Sequence, residues 1–262
     1  MRAGKALSAG NFCMTREKLS YAQKQCVGLA GKLMQQLAMV GPGARIGVAA
    51  SGGEDSFALL EVLRRRQRIV PFRFELMALH INPGFDPENH APLAEWLVRH
   101  GIAGHIELSG HGLAAHSPEN RSKSPCFYCA MQRRKRLFAL TREYGLTHLA
   151  FGHNADDLVS TFFMNMLQTG RVGGMSFREP FFGGRLLLIR PLGLIEKSVI
   201  HRAVRQWNLP VWANRCPSAG KTQRAEIGRR LSLLTEKKLW KVNMFRALTR
   251  WQSGLTESDI PS

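Results

Sequence analysis

The sequence predicts an α/β fold, a doubly wound parallel five-stranded sheet with an N-terminal helix before it and a C-terminal helical extension after it. Three observations carry this. Short apolar runs alternate with amphipathic helical patterns between residues 45 and 190, and the gaps mostly leave room for a crossover helix; that alternation dictates parallel strands covered on both faces. The stretch IGVAASGGEDSFALL, residues 46–60, is an apolar run, a Ser-Gly-Gly turn and the start of a helix. Beyond Pro191 the apolar residues recur only at helical spacing.

Each element follows from its own pattern. Residues 16–39 read as a helix because Leu19, Ala22, Cys26, Leu29, Leu33, Leu37 and Val40 recur at intervals of three and four, and Gly41-Pro42-Gly43 stops it. Strands are expected at 45–50, 73–81, 103–108, 147–151 and 185–190. Between the third and fourth lies SGHGLAAHSPENRSKSPCFYC, polar and rich in small residues, then an Arg-rich helix over about 127–144. A long loop at that edge of a sheet is more often functional than decorative. Helices near 196–207, 222–235 and 236–250 complete the chain. The expected organisation is an N-terminal helical segment, 1–42, a core with a cysteine-bearing insertion, 43–195, and an extension, 196–262, that supplies a third cysteine.

Composition narrows the function classes. No window approaches twenty uninterrupted apolar residues, and MRAGKALSAGNF lacks the apolar centre of a secretory signal, so a cytoplasmic protein without a membrane partner is expected. Thirty-seven Lys and Arg against nineteen Asp and Glu give a formal charge of +18. Such an excess repels itself unless it serves an anionic partner, and nucleic acid leads. The charge clumps at RRRQR (64–68), RRKR (133–136), GRR (228–230) and around Lys237 to Arg250; solvated helix faces are the alternative.

Residue 51 ends the first strand, Gly52 and Gly53 remove Cβ obstruction, and a helix begins at Glu54 with Phe57, Leu60 and Leu63 inward. Amides of such a turn face a docked anion. The Walker loop is excluded because its lysine and its spacing are missing. The hexad Ser51-Gly52-Gly53-Glu54-Asp55-Ser56 resembles the SGGxDS signature of the PP-loop ATP pyrophosphatases. The resemblance implies a HUP-like fold with strand order 3-2-1-4-5. It also implies ATP cleaved between its α- and β-phosphates, with Ser51, Gly52, Gly53, Asp55 and Ser56 at the nucleotide. An acid beside a polyphosphate is reasonable where Mg²⁺ lies between them, so Asp55 is expected to hold metal or act in the transition state. Glu54 stands where related members carry lysine, and Arg133 is a candidate to replace that cation.

In that order, ligands collect between the carboxyl ends of strands one and four. AFGHNADDL follows strand four and resembles the GHNxDD element of the same family, bringing Gly152, His153, Asn154, Asp156 and Asp157 to the crevice. The alternative is that Asp156 and Asp157 merely cap the helix. The resemblance puts the backbone of Leu79, His80 and Ile81 near the adenine.

Cys126 and Cys129 form a C-x-x-C before the basic helix, and Cys216 follows 87 residues later. A lone C-x-x-C reads as a redox pair, a zinc half-site or neither. Structural zinc wants a fourth ligand, and Cys216 has no Cys or His close to it in sequence. Here the resemblance narrows to the tRNA 2-thiocytidine synthetases, the TtcA family, over roughly residues 40–232. It implies that Cys126, Cys129 and Cys216 hold a [4Fe-4S] cluster whose fourth iron takes up sulfur. It further implies that AMP is transferred to a pyrimidine C2 oxygen, that of cytidine-32, before sulfur replaces it. On this reading Asp55, Asp157 and Arg133 are the catalytic residues, ATP, Mg²⁺ and the cluster are the cofactors, and tRNA is the substrate. The sulfur donor would be a cysteine desulfurase persulfide or sulfide, and a homodimer is expected from relatives. A lysidine-type PP-loop ligase and an RNA-binding or sulfur-carrier module remain as alternatives. Cys13 and Cys26 read as spare or buried thiols.

Overall fold

In a computed structural model, residues 18–118, 120, 124–213 and 215–253 are described. Six strands form one sheet in the order β3-β2-β1-β4-β6-β5. These are β1 (Arg45–Ala49), β2 (Glu75–Asn82), β3 (Ala103–Leu108), β4 (His148–Ala150), β5 (Arg178–Phe181) and β6 (Leu186–Ile189). All neighbours pair in parallel except β5 with β6. The expected fifth strand is therefore β6, and an antiparallel edge strand was missed. With Pro180 and two charged residues in four positions, β5 has the composition of an edge or a loop.

The helices are α1 (Tyr21–Gln36), α2 (Glu54–Arg66), α3 (Ala91–His100), α4 (His111–Ala115), α5 (Pro125–Glu143), α6 (Ala155–Thr169), α7 (Lys197–Gln206), α8 (Gln223–Leu234) and α9 (Lys238–Ser253). Ser20 starts α1 through a capping box with Gln23, which is why the helix begins later than periodicity alone suggested. Cys13 lies outside the described residues. Cys26 is fully buried in α1, and burial pushes its thiol up to about 12, the behaviour of a small apolar residue.

α2 is buried continuously from Ser56 to Leu63 because it lies between the sheet and the pair α1 and α7. Ile200, Ala203 and Val204 of α7 join that core, so the first helix after Pro191 is packed into the main body. On the opposite face, Leu137 and Leu140 of α5 meet Leu79, Ile81 and Leu149 of the sheet. Val159 of α6 packs with Ile227 and Leu231 of α8, with Met244 and Phe245 of α9 alongside. β1 pairs with β2 on one side and β4 on the other, so the crossovers diverge there and leave a crevice at their carboxyl ends.

Much of the clustered charge is spent internally. Arg64 and Arg65 both bind the buried Glu61, at 2.8 and 2.5 Å. Arg136 binds Glu107 at 2.7 Å and Glu143 at 2.6 Å. Arg229 and Arg230 both pair with Glu226. Among the described residues no helix is long and apolar enough to cross a membrane.

Candidate active site

The turn between β1 and α2 is shaped from below. Gly52 has φ +84°, and a Cβ there would lie 2.1 Å from the Trp212 ring. The Trp212 backbone N–H donates to the Gly52 carbonyl at 3.0 Å. Its ring meets Phe57 and His80 edge to face, each at 5.8 Å between centroids. Above this base, Ser56 Oγ donates to the Gly53 carbonyl at 2.9 Å, and Ser51 Oγ donates to Ser56 Oγ at 3.3 Å. Gly53, the N-cap of α2, contributes no side-chain bond, which leaves capping of the first turn to other groups or a ligand.

The loop after β4 closes against this turn. Gly152 permits it, since a Cβ at that position would lie 2.7 Å from the Asp55 carbonyl oxygen. Asn154 then connects the two acidic elements. It forms a reciprocal capping box with Asp157, at 3.1 and 3.2 Å, while its Nδ2 donates to Asp55 Oδ1 at 3.1 Å. Asp55 Oδ2 accepts from Lys197 Nζ at 2.8 Å.

A cleft of about 200 Å³ opens over these groups. Ser51, Asp55, Ser56, Leu79, Ile81, Arg133, Gly152, His153, Asp157 and Arg224 are among its walls. Burial raises the pKa of Asp157; the Asn154 amide and Arg224 oppose this, and Asp55 adds to it. Burial also drives His153 down to about 3, helped by Arg190, whose Nε donates to His153 Nδ1 at 3.3 Å. His153 is thus a neutral imidazole. Two carboxylates and two guanidinium groups line the cleft, a polar site suited to a hard cation and a polyphosphate.

Cys126 and Cys129 lie at the start of α5, three residues apart on the same side, and Ser124 caps that helix. Cys126, Cys129 and Cys216 are free thiols, all partly exposed. Burial raises the Cys129 pKa; Arg133 works against that, while Cys216 and Cys126 push in the same direction as burial. Cys126 and Cys216 are therefore electrostatic neighbours of Cys129, and Arg133, which also lines the cleft, acts on that same thiol. His116 Nε2 lies 3.7 Å from Cys216 Sγ and 3.4 Å from Ser218 Oγ. Three reduced thiols from two segments supply the donor set an iron–sulfur cluster takes, although among the described residues no group of three or more His, Cys, Asp or Glu is gathered as a finished metal site.

Comparison with known proteins places this geometry. A family model described as a PP-loop domain matches residues 29–231. The tRNA-cytidine(32) 2-sulfurtransferase of Geobacter sulfurreducens is 32% identical over 81% of this chain and 82% of its own. That of Stutzerimonas stutzeri is also 32% identical, over 91% and 87%. The chain belongs to the PP-loop proteins, in the 2-thiocytidine synthetase family. A solved structure, the U34-tRNA thiolase NcsA from Methanococcus maripaludis with its [4Fe-4S] cluster, shares the fold at a TM-score of 0.70 and 22% identity, covering 89% of this chain and 81% of that one.

Within this PP-loop chain, several expected site residues sit elsewhere than expected. The expectation for His80 concerned its backbone; its side chain is buried on the opposite side of β2 from Leu79 and Ile81, and its Nδ1 pairs with the Ala50 carbonyl at 2.8 Å. It supports the loop from beneath. Asp156 faces away from the cleft, accepting the Lys197 backbone N–H at 2.8 Å and pairing with Lys241 at 2.6 Å. Gly52 and Gly53 shape the turn without lining the cleft. Sequence reasoning missed Trp212, Lys197, Arg224 and His116. Each arrives from a distant segment, and none lies in a recognisable motif.

Proposed function

We propose that this chain is an ATP-dependent tRNA sulfurtransferase acting on cytidine-32. The observation carrying this is the juxtaposition of an Asp55–Asn154–Asp157 nucleotide cleft with a trio of free thiols, through the shared neighbour Arg133. In the first half-reaction the cytidine C2 oxygen attacks the α-phosphorus of ATP, and the bond to the β-phosphate breaks to release pyrophosphate. In the second, a sulfur nucleophile adds at C2 and the C2–O bond breaks, expelling AMP. A base stacked in a duplex cannot reach such a cleft, so an unpaired loop nucleotide is the natural substrate.

The residues divide this work. The β1–α2 turn and the first turn of α2 receive the phosphates. Asp55, held by Asn154 and Lys197, and Asp157, held by Asn154, offer carboxylate oxygens to Mg²⁺. Arg133 and Arg224 face the negative charge that develops as pyrophosphate departs. Leu79 and Ile81 give the adenine an apolar wall, with Phe151 also lining the cleft. Cys126, Cys129 and Cys216 would hold a [4Fe-4S] cluster, which when bound supplies an iron position able to accept and deliver sulfur. Persulfide or sulfide is the proposed donor, and a homodimer the proposed assembly.

The decisive experiment incubates anaerobically prepared protein with ATP, sulfide and tRNA, then digests the tRNA and measures nucleosides by mass spectrometry. The expected product is 2-thiocytidine, together with pyrophosphate release stimulated by tRNA. Pyrophosphate release without any thiolated base, from protein that shows no iron–sulfur absorption, would overturn the sulfur-transfer half.

A further inference from the structure

An acid at position 54, beside a turn meant for polyphosphate, ought to repel its ligand. The structure shows where that charge goes. Glu54 is not among the residues lining the cleft. Its Oε2 lies 3.2 Å from Lys197 Nζ, and its Oε1 lies 2.6 Å from His201 Nδ1. Both partners belong to α7, with Lys197 its first residue and His201 one turn further along the same face. Burial works to raise the Glu54 pKa, but the bonds from His201 and Lys197 outweigh it and hold Glu54 ionised.

Lys197 has a second task. The same ammonium lies 2.8 Å from Asp55 Oδ2, while Asn154 occupies Oδ1 at 3.1 Å, so both carboxylate oxygens are oriented by protein donors. Burial disfavours the charge on Lys197, yet Asp55 and Glu54 together keep its pKa raised. Its place at the start of α7 is secured separately, because its backbone N–H is bound by Asp156.

We propose that Lys197 is a positioning residue for nucleotide binding, pinning Glu54 against α7 outside the phosphate cradle and fixing the direction in which Asp55 faces. The inference rests on the reading of the cleft as an ATP site. Two acids and one ammonium leave a single net negative charge beside the turn. Without Lys197, two acids remain uncompensated by its ammonium beside the turn, and Glu54 keeps only its His201 contact on α7. One further unit charge at about 6 Å in a partly solvated site costs on the order of tenfold in affinity for a polyanion.

The test measures ATP affinity by calorimetry for the unaltered protein, Lys197→Met, Lys197→Arg, Glu54→Gln and the double variant. Lys197→Met is expected to weaken ATP about tenfold, with Lys197→Arg retaining most of the affinity. Glu54→Gln alone is expected to bind ATP at least as tightly as the unaltered protein. In the double variant, removal of the acid restores most of what Lys197→Met loses, a non-additive result that a purely structural lysine does not produce. Additive losses, or an unchanged affinity in Lys197→Met, overturn the inference while leaving the ATP site standing. Failure of the unaltered protein to bind ATP overturns both. Thermal unfolding accompanies each measurement, and a Lys197→Met deficit that persists in full in a stably folded double variant overturns the pinning of Glu54.

Discussion

The nucleotide cleft and the cysteine trio share Arg133 as a neighbour but are built differently. The cleft is knit from short-range parts: a hexad whose serines bond within the turn, and a capping box that reaches 99 residues back to Asp55 through one asparagine. The trio is assembled from two distant segments, with partly exposed thiols and a histidine contact at 3.7 Å to Cys216. The backbone fixes the first in place. The second depends on how the stretch before Cys216 is tethered, and that tether is Trp212 beneath Gly52. A motif can therefore be complete in sequence and still owe its shape to a residue far outside it.

The sharpest way to break the comparison is at their shared contact. Gly52→Val places a branched side chain where the Trp212 ring already lies, at a backbone angle that favours glycine. Loss of ATP binding is expected, with about 2–4 kcal/mol of stability lost in denaturant titration. If ATP binding survives, the tether is not what shapes the loop.

The next separates the two regions. Asp55→Asn is expected to lower tRNA-stimulated pyrophosphate release at least about a hundredfold while iron–sulfur absorption persists. Cys216→Ala is expected to abolish that absorption while ATP binding persists. Variants that fail in the same way would show that the two regions are one cooperative unit.

A smaller effect sharpens the electrostatics of the cleft. His153 titrates near 3 in the folded protein and near 6.5 when unfolded, so between those values the unfolded state binds the extra proton. Its contribution is present above pH 6.5 and is lost progressively as pH falls toward 3. His153→Gln should flatten this part of the acid limb by up to a few kcal/mol, read as the difference in stability between the two proteins at pH 7 and pH 4.

Much of this molecule was legible before its structure. Five strands, the phosphate turn, the basic helix over α5 and the helical finish all follow from local pattern, because apolar period and turn residues act over a few positions. β5 was hidden because its pairing with β6 comes from a turn through Phe182, Gly183 and Gly184, all at positive φ, and not from any apolar alternation of its own. Asp156 was misplaced by one position of rotation, since the helix turns it away from Asp157, and the pleat likewise turns the His80 side chain away from Leu79 while leaving its backbone where it was expected to serve. Lys197, Arg224, Trp212 and His116 were illegible for another reason. Their roles are set by packing across more than sixty positions, and nothing local distinguishes them from ordinary surface or core residues. The charge clumps taught the reverse lesson, since Arg64, Arg65 and Arg136 already have carboxylate partners.

Translation delivers these pieces in a fixed sequence. By residue 189 the ribosome has synthesised all six strands and both acidic elements, yet the Gly52 carbonyl still lacks its donor and the floor beneath it is open. Only when Trp212 emerges can the turn be closed from below, and Cys216 emerges four residues behind it. Nucleotide competence and the last thiol are thus expected to mature together in the nascent chain, so that a stalled or truncated product carries a sheet but no working ATP loop.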